Sequence, residues 1–61
     1  MMKRTIEQLT ELSIQTVYDA AALEQRASQE KNPEIAQLLK EFADQLDSIA
    51  GNILTVVEGI V

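Results

Sequence analysis

The sequence contains neither cysteine nor histidine, and these two absences exclude most of the chemistry that a small protein can carry. Without cysteine there is no disulfide and no thiolate ligand. Without histidine nearly every zinc site and the usual base of a nucleophilic triad are missing. A chain without cysteine also fits the reducing cytoplasm, where we expect this protein to reside. We therefore predict that it is not an enzyme and binds no cofactor or metal.

Glycine, proline and aromatic residues are also scarce, with two glycines, one proline, one tyrosine and one phenylalanine in 61 residues. The sequence has no glycine-rich phosphate loop. The most apolar stretch, residues 49–61, is interrupted by Asn52, Thr55 and Glu58, and it falls short of the ~20 apolar residues that a membrane span requires. Ten acidic residues against five basic ones give a net charge of −5, which disfavours broad nucleic-acid binding.

Carboxylates recur at short spacing in three places, Glu7/Glu11, Glu30/Glu34 and Asp44/Asp47. All three pairs lie on predicted solvent-facing sides of helices. A solvated carboxylate keeps its charge, so burial cannot prepare these groups for general acid catalysis. We interpret them as solubilising surface charge.

One interruption divides the chain, at Lys31-Asn32-Pro33-Glu34. Asparagine is a favoured helix N-cap, and proline is tolerated at the first helical position, where its missing N–H would have no partner. The sequence therefore predicts helix 1 over about residues 5–30, a turn at about 31–32 and helix 2 over about 33–60. Thr5 and Gln8 have the spacing of a capping box for helix 1.

Helix 2 is strongly amphipathic, with its apolar residues in three columns spaced by seven. An apolar arc of about 160° results, broader than the ~100° stripe that covers one neighbouring helix. One helix partner therefore cannot cover it. The predicted core and dimer contacts are Ile35, Leu39, Phe42, Leu46, Ile49, Ile53, Val56 and Ile60, beside the column Ala36, Ala43, Ala50 and Val57.

Helix 1 has a narrower apolar stripe with small residues at its centre. The short link predicts an antiparallel hairpin in which paired residue numbers sum to roughly 64. This register places Ala20, Ala21 and Ala22 across from Phe42 and Ala43, a match of small against large side chains. A two-helix hairpin encloses no interior, so we predict an all-α hairpin that forms a four-helix bundle as a two-fold homodimer.

A second apolar patch lies opposite the main stripe of helix 1 and consists of Ile14, Tyr18, Ala21 and Ala22. Scattered apolar residues are common on protein surfaces and need no function. The alternative is a contact site for a protein partner or a higher oligomer, for which tyrosine is well suited because its ring is apolar and its hydroxyl polar. If helix 1 has a binding site, we expect it here.

The segment Phe42-Ala43-Asp44-Gln45-Leu46 and the alternating Ala43, Leu46, Ala50 and Ile53 layers resemble the second helix of the Rop family of plasmid RNA-binding proteins. The resemblance covers the architecture of the whole chain and implies a dimeric antiparallel four-helix bundle. It also implies RNA binding by the first helices, for which helix 1 offers Gln8, Gln15, Tyr18, Gln25 and Arg26. Helix 1 has no lysine after Lys3, however, and function does not follow from fold.

Three functional hypotheses remain. The first is a non-catalytic module for protein interaction or oligomerisation, which we favour. The second is a regulator that docks one helix in the groove of a larger protein, with anchors at i, i+3, i+4 and i+7. The alternative from a different class is a Rop-like RNA-binding regulator.

Overall fold

The structure, a computed structural model, describes residues 2–60, which form two helices and no strand. Helix α1 spans Met2–Gln29 and helix α2 spans Pro33–Ile60. The helices pack against each other as an antiparallel pair, so the predicted all-α hairpin is confirmed. The pair is long and thin, with extents of 47 × 14 × 10 Å and a radius of gyration of 14.2 Å.

The turn between the helices is held by backbone hydrogen bonds that two side chains accept. Asn32 Oδ1 accepts hydrogen bonds from the backbone N–H groups of Glu34 at 3.0 Å and Ile35 at 3.4 Å, so Asn32 is the N-cap of α2. Glu30 Oε1 accepts the backbone N–H of Asn32 at 3.2 Å, while Glu30 Oε2 accepts a 2.8 Å bond from Arg26. The end of α1 is thereby tied to the start of α2.

Helix α1 begins three residues before the predicted start at about residue 5. Helix α1 already includes Met2, so Thr5 lies inside the helix and cannot be its N-cap. The capping-box spacing of Thr5 and Gln8 is therefore coincidental. Helix α2 agrees with its predicted bounds and runs through Gly51 and Gly59.

The seam between the helices consists of small side chains. The buried residues among those described are Ser13, Ala20, Ala27, Ala43 and Ala50. Ser13 Oγ donates a hydrogen bond of 3.2 Å to the backbone carbonyl of Ala50. A side chain as short as serine reaches the backbone of a neighbouring helix only where the two helices approach closely. The alanine seam therefore brings the two backbones close together.

The Ser13–Ala50 bond also sets the register. One heptad further along α1 and one heptad back along α2, Ala20 comes opposite Ala43, and both are buried. This agrees with the predicted pairing to within one residue, but the predicted small-against-large match is wrong. Phe42, Ala21 and Ala22 are exposed, so the seam has small residues on both sides.

Candidate association surface

The hairpin has two broad faces, one on each side of the seam. With 100° between successive residues of a helix, the Phe42 and Asp47 columns of α2 lie about 70° to either side of the seam's midline. The carboxylates of Glu24 on α1 and Asp47 on α2 belong to one cluster, so the Glu24 column of α1 and the Asp47 column of α2 share a face. The column of Leu12 on α1 therefore shares the other face with the Phe42 column.

The first of these surfaces, which we call the apolar face, presents large hydrophobic side chains to solvent. Phe42 is 47% exposed and Ile49 49%, although both belong to the most hydrophobic helix of the chain. Their column flanks the half-buried column of Leu39, Leu46, Ile53 and Ile60, which packs toward α1. The exposed large hydrophobic residues of the apolar face are Leu12, Ile35, Leu38, Phe42, Ile49 and Val56.

The opposite surface, the charged face, contains an acidic cluster and one lysine. The carboxylate oxygens of Glu24, Asp44 and Asp47 lie within 4.8 Å of one another, and all three residues are exposed. Lys40 borders the same place, where it lines a shallow hollow of about 280 Å³ with Glu24 and Asp44. Two exposed apolar residues, Val17 and Leu54, also lie on the columns of this face.

The sequence identified the Asp44/Asp47 pair but not Glu24 as its third member. To identify Glu24 from the sequence, the axial alignment of α1 against α2 would have to be known to within half a helical turn. Sequence periodicity does not provide that alignment. All three groups are exposed, and exposed acidic groups of this kind are common on protein surfaces.

The predicted patch on α1 lies on the outer side of that helix, away from α2. Tyr18 is 68% exposed and Ile14 51%, and Ala21 and Ala22 are exposed as well. A shallow open hollow of about 450 Å³ follows the same helix, lined by Gln8, Glu11, Leu12 and Gln15. The hollow adjoins the apolar face through Leu12. The role of the patch as a contact site stays a prediction.

The structure divides the predicted core residues into two groups. Leu39, Leu46, Ile53 and Ile60 are half-buried against α1. Ile35, Phe42, Ile49 and Val56 are exposed in the single hairpin. Two of the three apolar columns of α2 therefore pack in the intramolecular seam, and the third is exposed. Its burial in a dimer stays a prediction.

Contacts in the turn lower the pKa of the Glu30 carboxyl group. The backbone N–H of Asn32 donates to the Glu30 carboxylate and, together with the Arg26 guanidinium, lowers the pKa of Glu30 from its usual value of 4.5. Partial desolvation raises this pKa but does not outweigh those contacts. Glu30 is therefore a structural carboxylate of the turn.

Comparison with known proteins finds no match for the hairpin. No protein-family model matches the chain, and no curated protein or solved structure matches it either. The resemblance to the Rop family is accordingly limited to the helical-hairpin architecture. Neither helix, over the residues that the structure describes, has a stretch long and apolar enough to cross a membrane.

Proposed function

We propose that this chain is a non-catalytic interaction module that works as a homodimer, in which the apolar faces of two hairpins pack together and complete a four-helix bundle. The observation that carries the proposal is the exposed row of large apolar residues on α2, above all Phe42 and Ile49. Soluble monomers rarely expose a contiguous apolar patch of more than a few hundred Å² unless it binds something.

The accessible surface of the hairpin supports this proposal quantitatively. It measures 4755 Å², whereas a compact monomer of 6.8 kDa is expected to expose about 3950 Å². The excess of about 800 Å² equals the area that each partner buries in a standard stable interface. The radius of gyration agrees, since 14.2 Å exceeds the value of about 10.5 Å for a compact 61-residue domain.

The charges of α1 favour a protein partner over RNA. Between Arg4 and Arg26 the helix carries only acidic charges, and Arg26 is paired with Glu30 at 2.8 Å. A surface that binds the phosphate backbone needs several free cations on one side. The outer side of α1 offers glutamine and tyrosine there instead, so no contact of the described residues supports the RNA-binding alternative.

Analytical ultracentrifugation and concentration-dependent melting test the proposal together. We expect a species of twice the 6.8 kDa chain mass at micromolar concentration, and a melting temperature that rises with protein concentration. Ile49→Asn places an amide in the middle of the apolar face and should shift the protein towards monomer. Leu54→Asn is the matched control, since Leu54 is 42% exposed on the same helix but belongs to the charged face.

A folded monomer with concentration-independent melting would contradict the proposal. Equal loss of dimer in Ile49→Asn and Leu54→Asn would contradict the assignment of the apolar face.

A further inference from the structure

We infer that the occupant of the apolar face is a second copy whose α2 runs antiparallel to the first, with Gln45 on the two-fold axis. This inference rests on the proposed homodimer and adds its orientation and its central residue. It follows from four observations: the order of the apolar row of α2, the charges along the outer margin of α2, the neutral amide of Gln45 beside the axis, and the charges of α1 on the apolar face.

The apolar row of one chain is complementary in side-chain size to the same row of a second chain that runs in the opposite direction. Its members Ile35, Phe42, Ile49 and Val56 follow one another at intervals of seven residues, and all four are exposed to a similar extent. A two-fold axis between Phe42 and Ile49 places Phe42 against the partner's Ile49 and Ile35 against the partner's Val56. Each large side chain then meets a smaller one, which fills space better than two phenylalanine rings or two valines opposite each other.

Charges along the outer margin of α2 discriminate between the two orientations. Beyond the column of Leu38, Gln45 and Asn52, the outer margin of α2 contains Glu34 and Glu41 toward its start and the hydroxyls of Ser48 and Thr55 toward its end, all exposed. In the antiparallel pair Glu41 comes beside the partner's Ser48, and Glu34 beside the partner's Thr55. In a parallel pair each glutamate would come beside its own copy, and such like-charge neighbours are unfavourable.

Position 45 lies next to the axis on the side of the row away from α1. Its exposed neutral amide can both donate and accept, so two copies of Gln45 can hydrogen-bond to each other across a two-fold axis. Leu38 and Asn52, one heptad before and after Gln45, come beside each other in the two chains. This column contains no charged residue within α2.

Helix α1 cannot take the place of α2 in the centre of the interface. On its side of the apolar face the column that contains Leu12 continues with Asp19 and Arg26, which are exposed. A pairing of α1 with the partner's α2 would set Asp19 over the partner's Phe42 and desolvate a carboxylate without a cation beside it. Pairing α2 with α2 sets no charged residue of α1 over the apolar row of the partner.

Cysteine cross-linking tests the orientation directly, because the native chain has no cysteine. We expect Gln45→Cys to form a disulfide-linked dimer under mild oxidation, and Asp47→Cys, two residues away on the charged face, to remain unlinked. The difference in rate should be on the order of a hundredfold, since groups held together in a dimer have a millimolar effective concentration.

A second set of variants distinguishes antiparallel from parallel pairing. A mixture of Leu38→Cys and Asn52→Cys should cross-link, whereas Asn52→Cys alone should not. In an antiparallel pair position 52 lies opposite the partner's position 38, so the two copies of position 52 are fourteen residues, or about 21 Å, apart along the helix axis. A disulfide requires the two Cα atoms to lie within about 7 Å of each other. Parallel helices would give the reverse, with Asn52→Cys linked to itself and the mixture giving no mixed dimer.

Sedimentation of each reduced variant separates the two proposals. A dimer in which Gln45→Cys stays unlinked, or in which Asn52→Cys links to itself, overturns the antiparallel arrangement and leaves the homodimer standing. A native chain that sediments as a monomer overturns the homodimer itself.

Discussion

The two broad faces of the hairpin share one backbone and one alanine seam, yet they differ in nearly every exposed side chain. The apolar face presents Phe42, Ile49 and their column, whereas the charged face presents Glu24, Lys40 and Asp47 at equivalent distances from the seam. The seam is satisfied in the same way from both sides. The packing within the single hairpin does not account for this difference, which is what the proposed homodimer requires of a face that is covered by a second copy.

The largest expected effect comes from truncating the aromatic ring of the apolar face. Phe42→Ala should reduce the free energy of unfolding by about 3–5 kcal/mol per chain if the ring is buried between two hairpins. Val17→Ala on the charged face should change it by less than about 1 kcal/mol, since surface substitutions have small effects. Urea unfolding at one fixed protein concentration measures both. Similar losses in the two variants would mean that the faces do not differ in burial.

A change in the seam should affect both faces together. Ala43→Leu adds three carbons at a position with 0% exposure opposite Ala20, so the helices must move apart, at a cost of about 1–3 kcal/mol. The same substitution at the exposed Ala21 should cost less than about 0.5 kcal/mol. Circular dichroism during thermal unfolding compares the two variants. An Ala43→Leu protein as stable as Ala21→Leu would show that the seam is looser than the structure has it.

A smaller effect, dependent on pH, is expected at the turn. The pKa of Glu30 is lower in the folded chain than its usual value, so the carboxylate stabilises the fold above the unfolded-state pKa and loses this contribution as pH falls through the folded value. Glu30→Gln should therefore lower the melting temperature at neutral pH, and the difference from the native protein should shrink in acid. Glu11→Gln, which removes an exposed carboxylate from the same helix, is the control. A difference that persists unchanged at low pH would contradict this account.

The smallest effect on folding is expected at the patch on α1. Tyr18 is 68% exposed, so Tyr18→Ala should alter stability by less than about 0.5 kcal/mol and leave the dimer intact. Thermal unfolding and sedimentation of the variant measure these two quantities. A strong destabilisation would place Tyr18 in an interface with another copy of the chain and would enlarge the contact surface beyond the apolar face.

Sequence periodicity predicted the fold well because the signals that set it are local. Asn32 caps α2 through bonds to residues two and three positions away, and Pro33 suits the first turn of the helix. The sequence signals that failed depend on contacts between residues distant in the chain or on the residues that flank a motif. The capping spacing at Thr5 was overridden because the helix continues to Met2.

The association surface was only partly predictable for a related reason. The helical wheel found three apolar columns on α2 but could not say which two face α1. The choice depends on how closely the helices approach, and the alanines and Ser13 determine that distance only once the two helices are packed. Glu24 was missed in the acidic cluster because its neighbours Asp44 and Asp47 belong to the other helix.

The alanine seam has a further consequence, which concerns translation along the helix axis. Ala20 and Ala27 on one helix and Ala43 and Ala50 on the other repeat at the same seven-residue interval. A displacement of one helix by seven residues, about 10.5 Å, therefore brings small residues against small residues again. The seam alone therefore does not distinguish between alignments of the two helices that differ by seven residues. The short link from Glu30 to Asn32 selects one of these alignments. Severing or lengthening the link would allow the two helices to pack in more than one alignment.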